Sequence, residues 1–170
     1  MFVTDQSFSH QLAPNSAAGP ELHRPVLLRE TLLGLTPRSG GSYLDATLGL
    51  GGHAEAVLEA SGPDGRLWAM DRDLDAITLA KQRLGRFGDR ITILHAPFSE
   101  AKARLAEAGA PPLDGALADL GVSSPQLDRG ERGFSFRRPG PLDMRMDQTR
   151  GETAAEYLAR VDEEELASVL

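Results

Sequence analysis

Residues 43–53, YLDATLGLGGH, constrain the fold of this chain more than any other stretch. They read as a buried strand over Tyr43–Thr47, a turn carrying Gly49, Gly51 and Gly52, and the opening of a helix over His53–Ala60. Glycine at such a turn admits positive φ and lets a ligand approach the backbone closely. The helix that follows aims free N–H groups at that ligand. A second strand, Arg66–Met70, leads to Asp71, 20 residues after Gly51. An acid at that spacing, at the tip of a second strand, is placed to accept from two ribose hydroxyls. The pattern predicts a nucleoside-binding β–turn–α–β unit.

The same alternation runs through the flanking sequence. Leu28, Leu32 and Leu35 sit at helical spacing, and Pro37 with Gly40-Gly41 ends that helix. Leu74–Leu84 is a helix with Asp73 as its N-cap, and Ile91–His95 is a third strand. A helix over Glu100–Ala108 takes Ser99 as cap, and Gly115–Asp119 is a fourth strand. Strands alternating with helices predict an α/β fold with a parallel sheet. Four strands fall short of a full doubly wound sheet, so the sheet reads as incomplete and the chain as a piece of a longer protein.

Leu120–Gly151 breaks the pattern. It is rich in Gly, Pro and Arg, and segments of this length are functional or disordered. Phe134, Phe136, Leu142, Met144 and Met146 recur through it and predict a packed loop with its apolar side chains inward. Helical sequence resumes at Thr153–Val161, and Asp162 with Glu165 opens a further helix. Residues 1–22 are polar and aperiodic and read as a mobile tail.

At 170 residues the chain can bury one good core, and with no cysteine it has neither disulfides nor a thiolate metal site. His10, His23, His53 and His95 show no metal-ligand spacing. No apolar run is long enough to span a membrane and the N-terminus has no signal-peptide core, so the default location is cytoplasmic. The net charge is −7, yet Arg129, Arg132, Arg137, Arg138, Arg145 and Arg150 against Glu131, Asp143 and Asp147 give that segment a local +3. Arginines on phosphates and Phe134 and Phe136 on splayed bases would suit RNA. The same arginines could instead pair with the three neighbouring acids.

The glycines alone fit a dinucleotide as well as a mononucleoside. Asp45, at the carboxyl end of the first strand, separates the two. It would repel a pyrophosphate and attract an ammonium, and a nucleoside with an amino-acid tail is S-adenosylmethionine. HRPVL, DATLGLGGH, AMDRD, HAPFS, ADLGVSSPQLD and RGFSFRRPGPLDMRMD together closely resemble the bacterial small-subunit ribosomal RNA (cytosine-N4) methyltransferases, over roughly residues 23 to 170. The resemblance implies a Rossmann-like class I methyltransferase fold. It divides the chain into a tail over 1–22, the first part of the cofactor-binding domain over 23–152, and the start of a helical substrate-side insert over 153–170.

By that resemblance Gly51, Gly52 and His53 form the cofactor loop, Asp71 holds the ribose and Phe98 packs on the adenine. Gln126 is a further cofactor contact. Asp119 occupies the place where related amino-methyltransferases carry an acid-Pro-Pro-aromatic motif, and it is the candidate catalytic residue as well as a cofactor contact. Here the motif reads Asp119-Leu120-Gly121-Val122, without the prolines or the aromatic. The implied cofactor is S-adenosylmethionine and the implied partner is small-subunit ribosomal RNA or the assembled subunit, with no metal and no membrane; a homodimer is compatible with it. Ser123-Ser124-Pro125 lacks the glycine elbow of a serine nucleophile. Two alternatives stay open on the residues alone: a nicotinamide dehydrogenase, and a non-catalytic RNA- or protein-binding fragment.

Overall fold

The computed structural model describes residues 25–169, and the tail predicted over 1–22 and His23 lie outside them. The elements in order are α1 (Leu28–Leu35), β1 (Ser42–Asp45), α2 (Gly52–Ala60), β2 (Arg66–Asp71), α3 (Leu74–Leu84), β3 (Ile91–His95), α4 (Ala101–Glu107), β4 (Gly115–Leu117), α5 (Ser124–Asp128), α6 (Ala154–Arg160) and α7 (Glu163–Val169). The four strands form one parallel sheet in the order β3-β2-β1-β4. The chain winds from β1 outward to β3, then crosses back to add β4 on the other side. That reversal makes the carboxyl ends of β1 and β4 a topological switch point, where open α/β sheets bind ligands. This is the Rossmann-like arrangement that the strand–helix alternation predicts.

The sheet is covered on both faces, which is why its central strands are apolar at successive positions rather than alternate ones. Tyr43, Leu67 and Ala69 point to one side and pack with Val57 and Leu58 of α2 and Ile77, Ala80 and Leu84 of α3. Leu44, Trp68 and Met70 point to the other, toward Leu105 of α4 and Leu113. The buried positions of α3, at 76, 77, 80 and 84, follow the helical period. Among the described residues, no helix is long and apolar enough to cross a membrane.

Several predicted ends shift by a residue, and three differences have a physical cause in the fold. β1 ends at Asp45 instead of Thr47. The Ala46 amide still reaches Leu117 O at 2.9 Å, but the Leu48 amide crosses to Met70 O at 2.8 Å, so the chain fans between its two neighbours. β4 stops at Leu117 for the matching reason, which leaves Asp119 two residues beyond the strand. Ser99 does not cap α4. It lies inside a 3-10 turn, Phe98–Glu100, that precedes the helix, and the residue at the cap is Glu100.

Gly51 is the N-cap of α2 with φ 79°, and a Cβ there would come within 2.9 Å of Leu84 Cδ1. Both constraints come from the fold. Gly51→Ala is therefore expected to lower stability by about 1–3 kcal/mol in urea unfolding with no ligand present. Unchanged stability would assign the glycine to ligand approach alone.

Candidate functional site

A cleft of about 370 Å³ opens at the switch point. Its floor is the chain leaving β1, Ala46–Leu50, and the first turn of α2; Asp71, Phe98 and the segment 119–124 form its walls. Of the residues predicted to hold a cofactor, Gly52, His53, Asp71, Phe98, Asp119 and Gln126 all line this cleft. Gly51 does not, because its Cα faces Leu84 and Ala80.

Each side chain is set in place by a separate local device. Asp71 closes β2, and its carboxylate accepts from the Gly49 amide at 2.8 Å and from the Asp73 amide at 2.9 Å. It thereby ties the glycine turn to the start of α3 and keeps further lone pairs for hydroxyl donors. Phe98 is 47% exposed within the cleft, so it is no core aromatic. The backbone of Asp119 is pinned to β1's exit by its amide, which donates to Thr47 Oγ1 at 2.7 Å. Thr47 is a positioning residue that the sequence did not single out. His53 is nearly buried on α2, with Nε2 3.6 Å from Asp119 Oδ2.

Asp45 differs from expectation. It has no exposed surface, and the cleft wall begins one residue later, at Ala46. Oδ1 accepts from the Thr47 amide at 3.1 Å, while Oδ2 has no partner among the described residues. Burial pushes its pKa up to about 7, with Asp71 and Asp119 adding to the rise against the Thr47 hydrogen bond. Three carboxylates thus converge beneath a glycine turn. A cation in the cleft would relieve their repulsion, and a pyrophosphate would add to it.

The segment 120–151 is ordered, though not as predicted. Phe134 and Met146 are partly buried as expected, but Phe136, Leu142 and Met144 are exposed, and the fully buried side chains are polar: Gln126, Arg132, Asp143 and Asp147. Arg132, 3% exposed, donates to Asp73 Oδ2 at 2.9 Å and to the carbonyls of Arg145 and Met146 at 3.2 and 3.0 Å. Gln126 donates from Nε2 to the same Asp73 oxygen at 2.7 Å and accepts the Ser123 amide on Oε1 at 2.9 Å. Burial opposes the ionisation of Asp73, but hydrogen bonds from Arg132 and Gln126 outweigh it and hold the group below the usual carboxylate range. Arg145 pairs with Asp143, Arg150 with Asp147, and Arg129 with Asp75. Two of the expected acids, Asp143 and Asp147, take arginines; Asp73 and Asp75 of α3 stand where Glu131 was expected. His95, at the end of β3, lies with Nε2 3.0 Å from the Arg72 carbonyl and 3.4 Å from Asp147 Oδ2, near the far end of the segment. The helix α5 and the capping role of Ser123 were missed. Ser123-x-x-Gln126 was the readable signal, since glutamine at that spacing reaches back to the cap amide.

A family model described as the MraW methylase family matches residues 21–170. Ribosomal RNA small subunit methyltransferase H of Methylibium petroleiphilum is 52% identical over 157 residues, covering 92% of this chain and 49% of that protein. The protein of the same name from Sorangium cellulosum is 53% identical over 150 residues, covering 88% and 47%. The chain spans about half the length of the curated relatives it matches.

Two expectations follow from the geometry. Between the usual carboxylate pKa and about 7 the folded chain keeps a proton on Asp45 that the unfolded chain has lost, so stability falls as pH rises through that window. The loss amounts to about 4 kcal/mol in full. Asp45→Asn should flatten it, giving a higher melting temperature than wild type at pH 8 and little gain at pH 4. Equal slopes in the two melts would remove Asp45 as the cause. Arg132→Met leaves Asp73 buried without its cation, and a loss of about 3–5 kcal/mol is expected in urea unfolding. A loss below about 1 kcal/mol, the level of an exposed pair, would show that the buried pair does not hold the segment.

Proposed function

The chain belongs to the MraW methylase family, and from that premise we propose that its cleft binds S-adenosylmethionine for methyl transfer to N4 of a cytidine in small-subunit ribosomal RNA. The observation that carries the reading is that six of the seven residues the resemblance assigns to the cofactor line one cleft at the switch point. The cleft's size falls in the range of small-ligand sites. Asp71 and Asp119 in the cleft suit a ligand carrying a sulfonium and an ammonium, and Asp45, buried behind the wall with Oδ2 unpartnered among the described residues, would ionise more readily once such a cation is bound. The dehydrogenase reading must place a pyrophosphate in the same field.

In this reading Asp71 accepts from the ribose hydroxyls, Phe98 stacks on the adenine and the first turn of α2, Gly52-His53, meets the amino-acid end. Gln126 closes the wall with an amide already fixed by Asp73 and Ser123. The bound cofactor supplies an electrophilic methyl group. Cytosine's exocyclic amine is a weak nucleophile because its lone pair is conjugated with the ring. Asp119, exposed at the cleft, accepts an N–H bond from that amine and draws the lone pair toward the methyl group, and in-line placement contributes most of the remainder. The new N–C bond would form as the methyl group leaves the sulfonium, which departs as a neutral thioether, and the amine would then give its proton to Asp119 or water, so no strong base is needed. A cytosine in structured RNA must leave its stack to reach the cleft.

The same reading assigns residues 23–152 to the cofactor half of the domain, 153–170 to the start of a substrate-side insert, and the protein to the cytoplasm. The partner is ribosomal RNA or the assembled small subunit.

Calorimetric titration of S-adenosylmethionine into this chain, with circular dichroism on the same sample, tests the cofactor site; saturable binding is expected, and a folded chain that binds nothing would overturn it. Asp119→Ala is expected to cut transfer of a labelled methyl group to small-subunit ribosomal RNA by roughly 100-fold or more. Undiminished transfer would remove Asp119 from the chemistry.

A further inference from the structure

Residues 130–143 form a loop whose two limbs touch backbone to backbone. A Cβ on Gly130 would meet Pro139 O at 2.6 Å, one on Gly133 would meet Pro141 O at 2.6 Å, and one on Gly140 would overlap Gly130 O. No side chain fits between the limbs, and the glycines make a narrow neck. Beyond the neck stands a short tip, Phe134–Arg138. Ser135 Oγ accepts from the amides of Arg137 and Arg138 at 3.3 and 3.2 Å and sets the tip as a turn.

The tip carries an unusual load. Phe136 is 104% exposed, as open as in an isolated peptide. Arg137 and Arg138 are exposed beside it. The other four arginines of the segment are paired with aspartates, whereas these two have no ion-pair partner among the described residues. Internal pairing therefore concentrates the segment's free positive charge at one point, in a chain that is negative overall.

We propose that Phe136, Arg137 and Arg138 form a docking point for single-stranded RNA, with Phe136 stacked on an unpaired base and the two guanidiniums on flanking phosphates. The inference rests on the ribosomal RNA reading above and adds the residues that grip the substrate away from the reacting base. An aromatic face flanked by cations is the combination that a flexible polyanion with π faces requires. An apolar protein partner would need a patch, and Phe136 has Ser135 and Arg137 for neighbours. The neck also lowers the cost of binding, because the tip is held before RNA arrives. The neck and the cleft belong to one piece: the Met144 amide donates to Arg132 O at 3.1 Å, Arg132 holds Met146 O, and Met146 lines the cleft. A base caught at the tip is thus fixed relative to the site that would receive the cytosine.

The test is fluorescence anisotropy with a short labelled single-stranded RNA rich in cytidine, run with the chain saturated in S-adenosylmethionine, whose binding is titrated separately for every variant. Phe136→Ala should weaken RNA binding roughly tenfold, and Phe136→Trp should retain it. Arg137→Gln with Arg138→Gln should weaken it and lower the slope of log affinity against log salt by about 1.4, two phosphates' worth. Cofactor affinity should be unchanged in all three. RNA affinity that ignores these substitutions would overturn the docking point while leaving the RNA reading in place. Absence of RNA binding by the wild-type chain would also overturn it, and the separate cofactor titration would then report whether the cofactor site itself stands. A Phe136→Ala change that alters the oligomeric state or the melting temperature, with no effect on RNA, would reassign the tip to a protein contact.

Discussion

The buried pair between Asp73 and Arg132 is the interaction on which the site depends. Asp73 is the N-cap of α3, accepting the Asp75 amide at 3.0 Å, so one carboxylate both starts a core helix and receives Gln126 and Arg132. Burying a guanidinium and a carboxylate costs several kcal/mol per ion, and a lone pair at this depth would contribute little to stability. Here the guanidinium also bonds two backbone carbonyls, and the carboxylate takes three separate donors. The return is positional. A segment whose fully buried side chains are all polar is held at one place against the start of α3, and the wall of the cleft comes with it.

The charge distribution gives the two ends of the site opposite character. Asp45, Asp71 and Asp119 lie within Coulombic reach of one another at the glycine turn, and burial together with their repulsion raises the Asp45 pKa to about 7, so that near neutral pH it is half protonated. A bound cation would lower that pKa and release a proton, so affinity for a cationic cofactor is tied to pH through a residue the ligand does not touch. At the other end, Asp73 and Asp75 at the start of α3 and the segment's own Asp143 and Asp147 neutralise all but two of its arginines. Acid collects beneath the cleft and base at the loop tip, which separates attraction for a cationic cofactor from attraction for a polyanionic substrate.

The sheet was legible because parallel strands buried on both faces must be apolar, and helices covering them must repeat with the helical period. Leu74–Leu84 has the predicted ends since Asp73 caps it and its apolar positions keep the period. The glycine turn and Asp71 were legible as chemistry. Strand ends were not: β1 stops where the chain fans between its two neighbours and β4, at the edge, stops where β1 leaves it, a tertiary event with no local signature. Thr47 was invisible for the same reason, because its role is a bond to a residue 72 positions away. Asp45 was legible as an acid at a strand end, but its complete burial behind the cleft wall was not.

The segment after β4 was misread because sequence reasoning looks for burial in apolar side chains. Its Phe and Met residues predicted an inward-packed loop, but Phe136, Leu142 and Met144 are exposed and the interior is built from Asp, Arg and Gln. A polar interior leaves no period, since its members need only reach partners, wherever those partners lie in the chain. It leaves a stoichiometry instead. Asp73, Asp75, Asp143 and Asp147 account for Arg129, Arg132, Arg145 and Arg150, and the two arginines left over are adjacent, on a turn beyond a neck that only glycine permits. Charges in excess of what folding uses are free to act on a partner, and in this segment that excess sits at Arg137 and Arg138.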